Sequence, residues 1–329
     1  MNVFSSNSLA WTAVIVASLS SIVVRPLIEL LRRVSFKQHA YEDAPKTHAI
    51  KSGTPTMGGV LFVIALVAAA IMHPDFATVS LAVLGLGCGL VGFIDDYTSI
   101  RRGKNRGLSP RSKFAATIAV GIAFLALATF GARRDGTFEP GTIFATAASA
   151  GNAHLVVPYV IWFGLGLLVI LATTHAVNLT DGLDGLAGGT MLPPLAVLAF
   201  FSWQMGARGV AFVDVAVMAS LASFLVYNVH PARLFMGDTG ALLLGGVLAG
   251  SVVLTGTHLL LPLIGGVFVA EALSVIIQVL YFKRTHKRIF RMSPLHHHFE
   301  LGGWPETKVT ARFWTASAIL SLVGLAIVR

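Results

Sequence analysis

Asp95 and Asp96 stand side by side in Gly92-Phe-Ile-Asp-Asp-Tyr97, and Asp238 closes the segment Phe235-Met-Gly-Asp238. Asp181 and Asp184 lie in Asn178-Leu-Thr-Asp-Gly-Leu-Asp184. Two further polar clusters are Lys51-Ser-Gly-Thr-Pro-Thr-Met-Gly-Gly59 and the triple His296-His297-His298. Each interrupts an otherwise apolar chain. Adjacent carboxylates at membrane depth repel one another and require a cation opposite. A hard divalent ion such as Mg²⁺ suits an all-oxygen donor set. Amides and carboxylates can hydrogen-bond a nucleobase or sugar, and backbone N–H groups ahead of a helix favour phosphate. Together these groups suit chemistry between a charged, water-soluble donor and a lipid acceptor.

The elements that must position them are membrane spans. Of 329 residues, 55% are hydrophobic and only 12% charged, with a mean hydropathy of +0.77. Apolar stretches near 18 residues long recur throughout, as multiple spanning helices require. The expected fold is an all-α integral membrane protein with about ten transmembrane helices. The approximate spans are Ala10–Leu31, Thr56–Met72, Thr78–Ile94, Lys113–Gly131, Leu155–Thr174, Leu186–Gln204, Phe212–Asn228, Gly240–Thr257, Leu259–Phe282 and Phe313–Val328. Residues 1–329 are expected to form a single polytopic domain. Kinks or breaks are expected at Pro193-Pro194 and Gly265-Gly266, where neighbours can satisfy the freed backbone.

Charge sets the orientation. Assigned to the nearer span end, 20 of the 24 Lys and Arg residues fall on one side; only Arg133, Arg134, Arg208 and Arg329 fall on the other. The positive-inside rule makes the rich side cytoplasmic. Both termini are then periplasmic or extracellular, and all five clusters face a cytoplasmic cleft. The basic pI near 10.1 follows from this topology, so nucleic acid is not an expected partner. Arg284, Lys287, Arg288 and Arg291 share a helical face that could rest on anionic headgroups. The uncharged start, Met1–Ala10, lacks the basic region of a cleavable signal, so the first helix is expected to stay as an anchor. Cys88 lies alone within a span, which excludes an intrachain disulfide and a Cys-based metal site.

Each cluster also has a structural reading. Asp95-Asp96 could pair with Arg101 or Arg102, and Asp238 could cap the following helix. Asp181 and Asp184 share a face if helical, or could cap the next span. Three consecutive histidines point in different directions, which favours phosphate contact or proton transfer over a structural metal. Glu271, inside a span, is read as an interhelix partner outside the site. No Gly-Lys-Ser/Thr occurs, so no Walker A loop is present, and Gly85, Gly87 and Gly89 read as helix packing.

Taken in order, the segments Lys51–Gly59, Gly92–Tyr97, Lys104–Lys113, Ala176–Gly189, Phe235–Gly240, Glu271–Val279 and Met292–Trp314 closely resemble one family. It is the bacterial phospho-N-acetylmuramoyl-pentapeptide transferases (translocase I), within the polyprenyl-phosphate N-acetylhexosamine-1-phosphate transferase superfamily. Gly-Thr-Pro-Thr-Met-Gly-Gly and Pro-Leu-His-His-His-Phe-Glu-Leu-Gly-Gly-Trp-Pro-Glu carry the resemblance most specifically. It implies a Mg²⁺-dependent, multi-pass enzyme of the bacterial inner membrane. UDP-N-acetylmuramoyl-pentapeptide and undecaprenyl phosphate would give lipid I and UMP. By the same resemblance Asp238 is the principal Mg²⁺ ligand, and Asp95 and Asp96 lie beside the acceptor phosphate. Lys51, Asn178, Asp181, Asp184, Asn228 and Phe235 surround the uridine-containing donor, with Phe235 placed to stack on uracil. Lys113 and His296, His297 and His298 correspond to polar residues near the phosphates. Membrane lipids and a homodimer complete the expected partners. His175 and Thr98-Ser99-Ile100 depart from the family pattern outside the acidic core. Two rival readings stand beside this one: transfer of N-acetylglucosamine-1-phosphate from its UDP form, and a proton-coupled transporter.

Overall fold

The computed structural model describes residues 6–33, 53–102, 107–135, 139–144 and 154–328. Its long helices are α1 (Ser6–Arg33), α3 (Phe76–Arg102), α4 (Pro110–Asp135), α5 (Tyr159–Thr180), α6 (Leu186–Gln204), α7 (Arg208–Asn228) and α8 (Gly237–Thr255). With α10 (Gly266–Thr285) and α12 (Glu306–Val328), nine helices among the described residues are long and apolar enough to cross a membrane. The protein is therefore a multi-pass membrane protein. The shorter helices are α2 (Val60–Met72), α9 (Leu261–Ile264) and α11 (Leu295–Glu300).

The second expected span, Thr56–Met72, is shorter than its hydropathy suggested. Helix α2 has 13 residues, about 20 Å of rise against roughly 30 Å of hydrocarbon. The preceding residues, counted as span in the sequence, instead pair their backbone with the segment before α8. Phe235 N–H donates to Pro55 O (2.9 Å), Gly58 N–H to Phe235 O (2.8 Å) and Gly59 N–H to Met236 O (2.9 Å). Kinks or breaks were expected at two places: the chain breaks at Gly265, between α9 and α10, while α6 runs without a break through Pro193-Pro194. Two short antiparallel strands, β1 (Thr142–Phe144) and β2 (His154–Val156), pair in the long loop after α4, with Thr142 opposite Val156.

Helix α8 is the axis of the bundle. Nearly every residue from Thr239 to Thr255 is buried, and α3 and α5 pack along it. Its Gly- and Ala-rich sequence lets neighbouring backbones approach, the packing mode that membrane helices favour. Where α2 starts against α8, a side chain on Gly59 would lie 2.1 Å from the Gly240 backbone, and one on Gly92 of α3 would lie 2.2 Å from Asp238 O. Glycine at these two points brings α2 and α3 onto the first turn of α8, and so brings Asp95 and Asp96 onto Asp238.

Candidate active site

The N-terminal end of α8 gathers carboxylates from two helices. Asp95, Asp96 and Asp238 each offer an oxygen within 4.8 Å of the others. Lys113, in the first turn of α4, donates to Asp238 Oδ2 and sits 3.2 Å from Asp95 Oδ1. Asn178, in the last turn of α5, donates to Asp238 Oδ1 (2.8 Å). Leu108 N–H donates to Asp95 Oδ1 (2.8 Å). Three carboxylates against one ammonium leave a net charge of about −2 when all are ionised, which a divalent cation would neutralise. Oxygen donors around that charge fit Mg²⁺ or Mn²⁺ and do not fit a thiolate- or imidazole-seeking metal. The residues present thus form a candidate metal centre.

The two adjacent aspartates do different work in the fold. Asp96 Oδ1 accepts from Asp238 N–H (3.1 Å), and Asp96 Oδ2 accepts from Thr239 N–H (2.9 Å) and Thr239 Oγ1 (2.6 Å). Helix α8 has no side-chain cap from its own N-terminal residue, so Asp96 caps it from α3. The sequence-level alternative gave capping to Asp238; the structure gives it to Asp96. Replacing Asp96 by Ala should therefore cost stability, about 0.5–2 kcal/mol for the lost cap alone. Thermal unfolding in detergent checks this: Asp96→Ala should melt below Asp95→Ala. Equal melting temperatures would remove the capping role.

The segment between α5 and α6 forms a turn, so Asp181 and Asp184 do not share a helical face. Asp184 is buried, and its Oδ2 accepts from Ala232 N–H and lies 3.0 Å from His230 Nδ1. Its own N–H donates to Glu306 Oε1 (2.6 Å) in the first turn of α12. Asn228 is also engaged at both ends of its amide: Nδ2 donates to Leu234 O, and Oδ1 accepts from Gly185 N–H. These bonds clamp the 181–185 turn to the 229–235 loop. Phe235 is half-buried at the end of that loop, and Asp181 is half-buried in the turn.

The three histidines diverge, as their consecutive positions require. His296 is buried, with its N–H and Nδ1 both on the Glu271 carboxylate (3.1 and 3.2 Å). Its Nε2 faces Gly182, where a side chain would come within 2.3 Å. His297 pairs with Glu300 (2.8 Å), and His298 Nδ1 accepts from Arg291 N–H (3.1 Å). His296 thus reaches the 181–185 turn directly. Lys51 lies outside the described residues.

Glu271, read as an interhelix partner, is one: from α10 it holds His296 of α11. Sequence reasoning missed several participants. His230 and Glu306 were not considered, although with Asp184 they form a second group of potential metal ligands. Thr239 directly follows Asp238, and that adjacency was the available signal. Asp214 is buried inside α7 and bonds Ser251 of α8 (2.6 Å), on the far part of the bundle from the carboxylate cluster.

A bundle of apolar helices with carboxylates, an amide and a lysine gathered at one end defines a multi-pass membrane protein with a polar site at one end of its bundle. Residues 78–256 match the model for glycosyl transferase family 4. Residues 51–63 match phospho-N-acetylmuramoyl-pentapeptide-transferase signature 1. Curated proteins called phospho-N-acetylmuramoyl-pentapeptide-transferase are similar over nearly the full length. The one from Heliobacterium modesticaldum is 47% identical over 322 residues, covering 95% of this chain and 96% of the relative. Those from Bacillus subtilis and Geobacillus kaustophilus are 41% and 42% identical; they cover 95% of this chain, and 95% and 96% of the relatives respectively. The chain belongs to the phospho-N-acetylmuramoyl-pentapeptide-transferase family.

Proposed function

We propose that the protein transfers phospho-N-acetylmuramoyl-pentapeptide from its UDP-activated form to undecaprenyl phosphate, giving lipid I and UMP for peptidoglycan synthesis. The observation that carries this reading is the convergence of Asp95, Asp96, Asp238 and Lys113 at one end of the bundle, beside the 181–185 turn and Phe235. In the reaction an oxygen of the acceptor phosphate bonds to the sugar-bearing phosphorus of the donor. The phosphorus–oxygen bond to UMP breaks, and UMP leaves. Such transfers are catalysed mainly by positioning and charge neutralisation.

Asp238, with Asp95 and Asp96, would hold Mg²⁺. When bound, that ion supplies charge neutralisation for the pyrophosphate oxygens. Lys113 adds a cation at the same place, and Asn178 orients Asp238. Asp96 is engaged by three donors from α8, whereas Asp95 has its described donors, Leu108 and Lys113, on Oδ1. Asp95 is therefore the better-placed acceptor for a proton of the lipid phosphate. Asp181, Asp184, Asn228, Phe235 and Lys51 form the donor side. His296 supports the donor turn at Gly182, and His297 and His298 are assigned to the phosphates.

UMP release by purified protein with undecaprenyl phosphate tests the substrate assignment. UDP-N-acetylmuramoyl-pentapeptide should support turnover, and UDP-N-acetylglucosamine should not. The reverse preference would move the protein to the sugar-phosphate transferases of other polymers. Phe235→Ala should weaken donor binding by about 1–3 kcal/mol if it stacks on uracil. Calorimetry with the UDP donor reads this directly, and unchanged affinity would remove the stacking role.

The site end of the bundle is assigned to the cytoplasm. Cysteine placed at Arg102 or His297 should react with an impermeant maleimide only after the inner face is opened, whereas cysteine at Gly136 should react in intact cells. The opposite pattern would place the donor site in the wrong compartment.

A further inference from the structure

A basic cleft opens at the site end of α1, apart from the carboxylate cluster. It has a volume of about 290 Å³ and is lined by Arg25, Ile28, Glu29, Arg32, Tyr227 and Arg233. Arg25, Glu29 and Arg32 follow helical spacing along one stripe of α1, facing the last turn of α7. Arg25 Nε donates to Tyr227 Oη (3.1 Å), and the Arg233 guanidinium lies 4.8 Å from the centre of the same ring. Two guanidiniums thus flank one phenol. With Arg32 and Glu29 the cleft carries a net charge of +2. Among the described residues, none of its three arginines is paired with a carboxylate.

Its depth in the membrane decides the ligand class. Helix α1 has 28 residues, about 42 Å of rise, against a hydrocarbon core of roughly 30 Å. The excess places the last turns of α1 at headgroup level, where arginine side chains reach toward phosphate. Below the cleft, exposed Ile22 on α1 and Val226 on α7 continue an apolar surface into the hydrocarbon. Guanidiniums above an apolar wall match a phosphodiester headgroup with its acyl chains, and arginine is the side chain best shaped to grip phosphate oxygens.

We propose that this cleft binds the headgroup of an anionic phospholipid from the leaflet that the active site faces. The site has a mechanical connection to the donor side. Arg233 N–H donates to Tyr227 O (2.7 Å), and its guanidinium to Val226 O (3.3 Å). Asn228 bonds Leu234 O, and the loop so closed carries His230 on Asp184 and ends at Phe235. A phosphate bridging Arg25 and Arg233 ties this loop to α1, and so steadies the donor pocket.

The test uses the full-length protein in detergent, titrated with phosphatidylglycerol or phosphatidylcholine, with bound lipid counted by native mass spectrometry. The wild type should retain phosphatidylglycerol in preference to phosphatidylcholine. Arg25→Gln with Arg233→Gln should reduce that retention at least about tenfold, and Lys308→Gln with Arg312→Gln, exposed on α12, should not. In the double variant the KM for the UDP donor should rise more than kcat falls, and added phosphatidylglycerol should no longer lower it. Should the double variant fail to fold, Arg25→Gln and Arg32→Gln singly should each show a partial loss. Equal retention by wild type and these variants would overturn the site. So would equal retention of the two phospholipids. Displacement of phosphatidylglycerol by millimolar inorganic phosphate, or by equimolar polyprenyl phosphate, would overturn the assignment to a bulk phospholipid.

Discussion

Asp238→Asn is expected to lower lipid I formation by about 10²–10³-fold, the scale seen when one preorganised electrostatic contact to a reacting centre is lost. The substitution keeps a carbonyl oxygen for the bond from Asn178 and removes only the charge that faces Lys113 and the candidate metal. The bundle should therefore survive. Size-exclusion profile and thermal unfolding in detergent should stay close to wild type while turnover collapses. Donor affinity measured by calorimetry should change much less than turnover, because the lost interaction matters most for the reacting phosphates. Full turnover in this variant would take Asp238 out of the chemistry.

Lys113→Met should produce a comparable loss of turnover and a distinctive stability phenotype. Without the ammonium, Asp95, Asp96 and Asp238 face one another within 4.8 Å with no internal counter-charge. Breaking a partly buried charge arrangement by removing one partner is strongly destabilising, about 3–5 kcal/mol for a fully buried pair and less here, where solvent reaches the site. A divalent cation should restore much of that loss, because ligand binding to the folded state raises stability by mass action. Thermal unfolding with chelator and with Mg²⁺ measures both effects. The shift on adding Mg²⁺ should be larger in Lys113→Met than in wild type. Equal shifts would mean that Lys113 does not balance the metal-binding carboxylates.

Much of the site was legible because polar clusters recur at alternate span ends. Asp95, Asp96, Asn178 and Asp238 could be placed at one boundary by counting helices, and the structure brings them into contact. Partner choice was not legible. Asp96 caps a helix that begins 141 positions later, at Gly237, and no local spacing announces such a bond. Glu271 and His296 lie 25 residues apart and meet only because the chain folds back after α10. Glu306 looks like an ordinary acidic residue in a helix's first turn until Asp184 is seen to use it. The sequence reading also overran α2, because hydropathy cannot see that Pro55–Gly59 is committed to backbone pairing with Phe235–Met236. The Gly265 break was legible from paired glycines. The continuity of α6 through two prolines was not, since it depends on neighbours that satisfy the freed carbonyls.

The most direct measurement is Mn²⁺ binding to the purified protein, followed by electron paramagnetic resonance. Wild type should hold one Mn²⁺ per chain, released by excess Mg²⁺, with the bound signal growing in parallel with activity as metal is restored after chelation. Asp238→Asn should lose that bound signal while remaining folded. Undiminished Mn²⁺ binding by Asp238→Asn, or full activity of the wild type in chelator, would contradict a metal centre built on Asp95, Asp96 and Asp238.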